Sequence, residues 1–357
     1  MTKLFMRWFK RNFSNPQAVI LTAILLFLFL GIWLIGPIVM PLLMAAVIAY
    51  ILEWAVSALE RRKLPRLAAV IIVFMVFCGV SLTLLIGIIP LVGHQLETLF
   101  SDLPVMSAKF KNMLMTLPAQ YPEFVTEQRI ENTLEHLGGG FGNIGDALLT
   151  FSLASFKNIV SWMIYMILVP MLVFFFLKDK TVILKWLLRW VPDEHELSIR
   201  DWREVDGQIG AYARGKLVEI FIVGTATYLC FVIFDLNYAL LLGVLVGFSV
   251  LIPYIGATLV TIPVALVALI QWGPSEMSAW LIVIYLVIQA LDGNLLVPLL
   301  FSEANNLHPV AIIAAILFFG GIWGFWGVFF AIPLATLVVA VLAALDEAKL
   351  PAEPIEN

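Results

Sequence analysis

Residues 238–271 read YALLLGVLVGFSVLIPYIGATLVTIPVALVALIQ, a 34-residue apolar region cut near its middle by Pro253 and Gly256. Proline removes a backbone donor and glycine frees the backbone, so the cut leaves two helical arms, 238–252 and 257–271. Each arm is about 15 residues, or roughly 22 Å of helix, short of the roughly 30 Å hydrocarbon core of a bilayer. The stretch predicts a re-entrant hairpin with Pro253, Tyr254 and Gly256 at its tip. Two complete spans preserve the same parity and are the alternative. The pattern recurs where residues 309–322 and 325–343 flank GGIWGFWG, with Gly320, Gly321, Gly324 and Gly327 interrupting the second region and Pro333 following.

One full span precedes each hairpin, residues 217–235 and 278–298. By parity the first pair begins inside and the second outside, an inverted-topology repeat; in transporters such repeats place sites near the midplane. Irregular backbone survives at membrane depth only where protein or a water-filled cavity surrounds it, so the tips are expected to face each other or a pathway. For Gly324 and Gly327 the competing reading is close helix packing through small residues.

Composition agrees with this architecture. With 62% hydrophobic residues, 13% charged and a mean hydropathy of +1.01, too little polar surface exists to clothe a soluble core. The chain is read as an all-α polytopic membrane protein. Its first apolar run, residues 17–36, is too long for a signal peptide and lacks a small-residue cleavage site, so it reads as a retained helix. Lys3, Arg7, Lys10 and Arg11 precede that run, and Arg61, Arg62, Lys63 and Arg66 follow the second span, 37–56, which places both flanks in the cytoplasm.

A third span, about 67–92, exits. Residues 94–156 carry three basic residues against seven acids, as an outer segment should, and their apolar spacing suggests short amphipathic helices. Span four, 158–177, returns to a stretch, 178–216, with eight Lys or Arg. The organisation expected is membrane helices over 1–93, an extracytoplasmic segment over 94–157, a helix over 158–177 and cytoplasmic amphipathic helices over 178–216. A transport core over 217–345 and a tail over 346–357 complete it, with both termini cytoplasmic.

Several apparent motifs dissolve on inspection. Gly140, Gly142 and Gly145 match a dinucleotide fingerprint but have no strand before them. GAYARGKL, residues 210–217, has Leu217 where a phosphate loop needs a hydroxyl. DEHEL, residues 193–197, reads as an acidic loop, and no HExxH motif occurs. Cys78 and Cys230 sit alone in apolar runs and read as small buried side chains. No catalytic residue, metal site or cofactor is expected, and no nucleic-acid partner.

The polar stretch 289–309, QALDGNLLVPLLFSEANNLHP, is the candidate site. At 100° per residue Gln289 and Asp292 lie within about 60° of each other, whereas Asn294 and Pro298 fall on nearly the opposite side. Polar groups all round predict a helix enclosed by protein, because a carboxylate near the bilayer centre costs about 2.5–3.5 kcal/mol even on mild scales. Asp292 is read as a functional carboxylate, with a neutral, helix-capping aspartate as the alternative. Glu303, Asn305 and Asn306 have a weaker claim, since they also suit an interfacial loop.

VLIPYIGA, DGNLLVPLLFSEANNLHP, GGIWGFWGVFFAIPLAT, PLLMAAVIAYILEW and FFFLKDK together resemble the PerM-type permeases of the autoinducer-2 exporter (AI-2E) transporter family. The resemblance runs from RWFKRNFSNPQA to the terminal helix. It implies a bacterial inner-membrane protein of about seven or eight membrane segments that forms homo-oligomers, pentamers among them. It also implies export of a small polar solute such as the furanosyl signal autoinducer-2, or sodium (lithium)/proton antiport. The family's motif positions carry over onto Pro253, Tyr254, Gly256, Asp292, Asn294, Pro298, Asn305, Pro309, Gly320, Gly324 and Pro333. The expected partners are the bilayer, further copies of the chain, a small solute and a proton or sodium ion. A membrane scaffold whose glycines serve packing alone is the reading from another functional class.

Overall fold

The computed structural model describes residues 40–120, 159–189, 199–253, 255–301, 308–336 and 338–339. Among them every regular element is a helix and none is a strand. The chain runs through α1 (Met40–Arg61), α2 (Arg66–Thr83) and, after a π-turn at Leu84–Ile88, α3 (Ile89–Gln120). Then follow α4 (Ile159–Lys178), α5 (Lys180–Leu188) and α6 (Ile199–Ile233). The last third holds α7 (Ala239–Ser249), α8 (Ile255–Trp272) and α9 (Glu276–Leu291), then a second π-turn at Asp292–Leu296, α10 (Val297–Phe301) and α11 (Pro309–Phe329). Met40–Arg61, Arg66–Met115, Ile209–Ile233, Ile255–Trp272 and Glu276–Phe301 are each long and apolar enough to cross a membrane.

The chain divides into two compact units, one of residues 1–70, 171–215 and 301–357, the other of residues 71–170 and 216–300. In the first, Glu53 is gripped by Arg66 at 3.4 Å and Lys180 at 3.1 Å. Arg66 also pairs with Glu60 at 3.3 Å and donates to the Leu177 carbonyl at 2.6 Å. One guanidinium thus ties the α1–α2 turn to the end of α4, using the planar fork that lysine lacks.

In the second unit the apolar core gathers Val223 and Phe231 of α6, Leu242 and Val246 of α7, Val264 and Val267 of α8, and Leu281 and Tyr285 of α9. Helix α7 packs against α3 and α8, and α8 against α9. Helices α6 and α7 meet through glycine. A Cβ on Gly243 would fall 2.7 Å from that of Tyr228, and one on Gly247 would fall 2.9 Å from the Ile220 carbonyl. Small residues let helix backbones approach in membranes, and Gly243 and Gly247 form a GxxxG pair that does so here.

Four differences from the sequence expectations stand out. The outer segment does not begin with short helices: helix continues from Arg66 to Gln120, and the π-turn at Leu84–Ile88 falls just before Pro90, whose missing N–H and ring a widened turn accommodates. Likewise α6 carries the cytoplasmic amphipathic stretch and the following span as one 35-residue helix. The hairpin arms are unequal, 11 residues in α7 against 18 in α8, because helix resumes at Ile255, immediately beyond the break. Cys230 is buried but Cys78 is only partly so. The first apolar run, the glycine-rich GGGFGNIG, the DEHEL loop, residues 121–158 and the tail from 340 lie outside the described residues.

Candidate functional site

The site begins with the π-turn that opens at Asp292. The Val297 N–H reaches back to the Asp292 carbonyl, five residues earlier, and Pro298 follows as the second residue of the resumed helix. The same offset links the first π-turn to Pro90, so both wide turns have the same sequence cause: a proline whose ring the regular ladder cannot hold. A π-turn inside a helix re-aims its side chains and is frequent at functional positions.

Gln289 and Asp292 are both half-buried. Gln289 donates to the Tyr285 hydroxyl at 3.0 Å, and Thr261 of α8 donates to the same oxygen at 3.3 Å. Tyr285 is fully buried, its ring 6.1 Å from that of Phe231 on α6. Gln289, Thr258 and Thr261 also line an open, mainly apolar groove of about 660 Å³ between α8 and α9.

Asn294 and Pro298 are exposed, which corrects the expectation that protein encloses the whole helix. The Asn294 amide donates to the Ala290 carbonyl at 2.8 Å, so this polar group is satisfied within its own helix and needs no enclosing neighbour. Tyr254, Glu303, Asn305 and Asn306 lie outside the described residues.

Sequence reasoning missed the most buried charges among the described residues. Lys216 and Glu219, three residues apart on α6, form an ion pair at 2.8 Å with side chains only 5% and 2% exposed. Lys216 acts electrostatically on Asp292, and Asp292 on Glu219. One oxygen of Asp292, Oδ1, is buried with no hydrogen-bond partner among the described residues, as is the hydroxyl of Thr227, two turns beyond Glu219. The signal was present in the sequence: a glutamate three residues after a lysine within an apolar helix. Counting Lys216 as the last cytoplasmic charge concealed it.

The two chain breaks are built alike. At Gly256 an added Cβ would run into the Ser249 carbonyl, seven residues back; at Gly327 it would run into the Phe319 carbonyl, eight residues back. In both places the chain doubles back so tightly that only glycine fits. Gly324 makes the second reversal with φ 58° and ψ −134°, a backbone state that side chains avoid. A Cβ on Gly320 would fall 2.8 Å from Cγ2 of Val328 across the same turn, one on Gly321 would meet open space, and Pro333 is buried in the returning segment.

The chain matches the family described as AI-2E family transporter over residues 22–347. It is 45% identical over 353 residues to "Putative permease PerM" of Escherichia coli (strain K12), covering 99% of this chain and 100% of that protein. To "AI-2 transport protein TqsA" of the same organism it is 26% identical over 331 residues, 92% of each chain. With a family match that spans nearly all of its length and a full-length relative at this identity, the chain belongs to the AI-2E family of transporters.

Proposed function

We propose that the protein is a secondary permease of the bacterial inner membrane that exports a small polar solute of the autoinducer-2 type. The observation that carries this reading is the Lys216–Glu219 pair, buried within a candidate membrane span, with Lys216 acting electrostatically on Asp292. Such charges are expensive in a membrane and mark solute and ion pathways. A packing scaffold has no use for them. The solute class rests on the printed name of the relative TqsA. The buried charges also favour a second reading, sodium (lithium)/proton antiport, in which Asp292 exchanges the ion.

In this reading residues 217–345 are the transport core, with the reversals at Gly256 and Gly324–Gly327 as paired hinges of an inverted repeat. Residues 94–157 lie outside, the cytoplasmic stretch that begins at 178 gives way at Ile209 to the span that carries Lys216 and Glu219, and both termini are cytoplasmic. Two clusters support that topology within their own units: the α1–α2 turn meets the end of α4 through Arg66, and residues 95–102 of α3 meet the start of α7 through Gln95 and Asp102. The reading is tested by solute uptake and efflux in proteoliposomes under imposed proton and sodium gradients, screened against furanosyl diols and monovalent cations. Gradient-driven flux of one of these is expected; absence of flux for every solute and ion returns the scaffold reading.

A further inference from the structure

We propose that the α1–α2 turn and helix α5 together form a docking site for an anionic phospholipid, its phosphate held by basic side chains and its upper acyl chain by Val182 and Trp186. The site lies in the first unit and is independent of what the protein carries. Three apolar helices end there: α1 stops at Arg61, α4 stops at Lys178, and α2 begins at Arg66. Lipid headgroups lie at the level where membrane helices give way to basic residues. Glu53 pairs with both Arg66 and Lys180, so the turn and the start of α5 are neighbours. Ion pairing leaves a surplus of positive charge. Residues 53–66 and 178–189 hold eight basic side chains against three acids, and Glu53 and Glu60 are already engaged by Arg66 and Lys180. Arg61, Arg62, Lys63, Lys178, Lys185 and Arg189 are all exposed and form no ion pair among the described residues.

Helix α5 sets cations beside bare apolar surface. At 100° per residue Val182, Lys185 and Trp186 fall within about 100° of one another, and Arg189 follows just beyond the helix. Val182 is 66% exposed and Trp186 56%. Tryptophan with flanking cations on one helical face suits the boundary between acyl chains and phosphates. An acidic protein segment would leave Val182 and Trp186 bare, which favours lipid as the occupant. Lys63 is an independent sign. Its φ is 67°, its N–H donates to the Glu60 carbonyl at 2.9 Å, and the Leu64 N–H donates to the Leu59 carbonyl at 3.4 Å. This pair of bonds closes the end of α1 by the left-handed reversal in which glycine is the usual residue. A lysine there costs stability that glycine would not, and it sets a cation in the turn between two membrane helices.

The test titrates the purified full-length protein in neutral detergent with dioleoylphosphatidylglycerol, dioleoylphosphatidylcholine or inorganic phosphate. Bound lipid is counted by native mass spectrometry, and the melting temperature is followed alongside. Wild type is expected to prefer phosphatidylglycerol, and the triple variant Arg61→Gln, Arg62→Gln, Lys63→Gln to lose about fivefold in that affinity per charge removed. Lys63→Gly should weaken phosphatidylglycerol about fivefold and yet melt higher than wild type in lipid-free detergent, because it relieves the left-handed residue while removing the charge. That opposition of binding and stability separates a lipid contact from a merely structural lysine, and it needs no variant at risk of misfolding. Lys109→Gln with Lys111→Gln removes two exposed charges from α3 and should leave binding unchanged. Equal binding of the two lipids, or an equal loss in the α3 variant, overturns the site. Inorganic phosphate that binds as tightly as the lipid overturns it in favour of a soluble anion. A lipid preference that emerges only after Asp193, Glu194 and Glu196 are neutralised gives the surface to that acidic stretch instead, and also overturns it.

Discussion

Tyr238 holds the turn between α6 and α7 in a left-handed conformation, φ 59°, and four hydrogen bonds secure the segment around it. Its hydroxyl donates to Asp102 at 2.6 Å, and the Leu241 N–H donates to Gln95 at 2.8 Å. Gln271, at the end of α8, accepts from the Asn237 N–H and donates to the Asp235 carbonyl. Partial burial, then the Asp102 hydrogen bond and charge, push the Tyr238 phenol up to about 12. The unfolded chain releases that proton near pH 10. Between pH 10 and 12 the native state therefore holds more protons than the unfolded one, and stability falls as pH rises through that window. Tyr238→Phe should cost about 1 kcal/mol below pH 10 and flatten the alkaline decline, read from thermal unfolding in detergent between pH 8 and 12. At this scale the sequence was only partly legible. Asp292 declared itself because an intramembrane carboxylate is rare, whereas Glu219 sat next to a basic segment and was hidden by it. The bond between Tyr238 and Asp102 joins residues 136 apart, which no local pattern encodes.

The two glycine reversals are the elements on which the architecture turns. Gly256→Ala places a methyl group against the Ser249 carbonyl, which belongs to backbone and cannot rotate away. The cost should be at least about 3 kcal/mol, seen as a lost or sharply lowered melting transition, whereas Gly321→Ala has open space and should change stability by less than about 0.5 kcal/mol. The 11 residues of α7 span only about 16 Å, so the tip of this hairpin is expected inside the bilayer. Single cysteines across residues 251–258 should then react slowly with impermeant reagents, or in one conformational state only. Uniform, rapid labelling from the cytoplasmic face would show two full spans. Both breaks were legible from Pro253, Gly256 and the glycine cluster at 320–327. Their depth was not, because the unequal arms depend on where helix resumes after the turn, a matter of tertiary packing that composition does not record. The π-turns were legible only in hindsight, through the prolines that follow them.

For the whole molecule, the fold class followed from hydropathy alone, since no other architecture accommodates so many apolar runs. Sidedness rests on the placement of Lys and Arg. A cysteine introduced near Gly140 should be labelled from outside intact inner-membrane cells, and one near Ser198 should not; the reverse pattern would invert the topology. The central claim is that the half-buried carboxylate at the π-turn after α9 takes part in transport, and Asp292→Asn probes it with least disturbance to size and hydrogen bonding. An amide cannot carry the charge that binds and releases an ion. The measurement is gradient-driven flux of furanosyl diols, sodium and protons in proteoliposomes, wild type beside Asp292→Asn, with oligomeric state matched by size exclusion. The account predicts that flux falls at least tenfold in the variant while its elution is unchanged. Near-normal flux with the same pH dependence as wild type would contradict it.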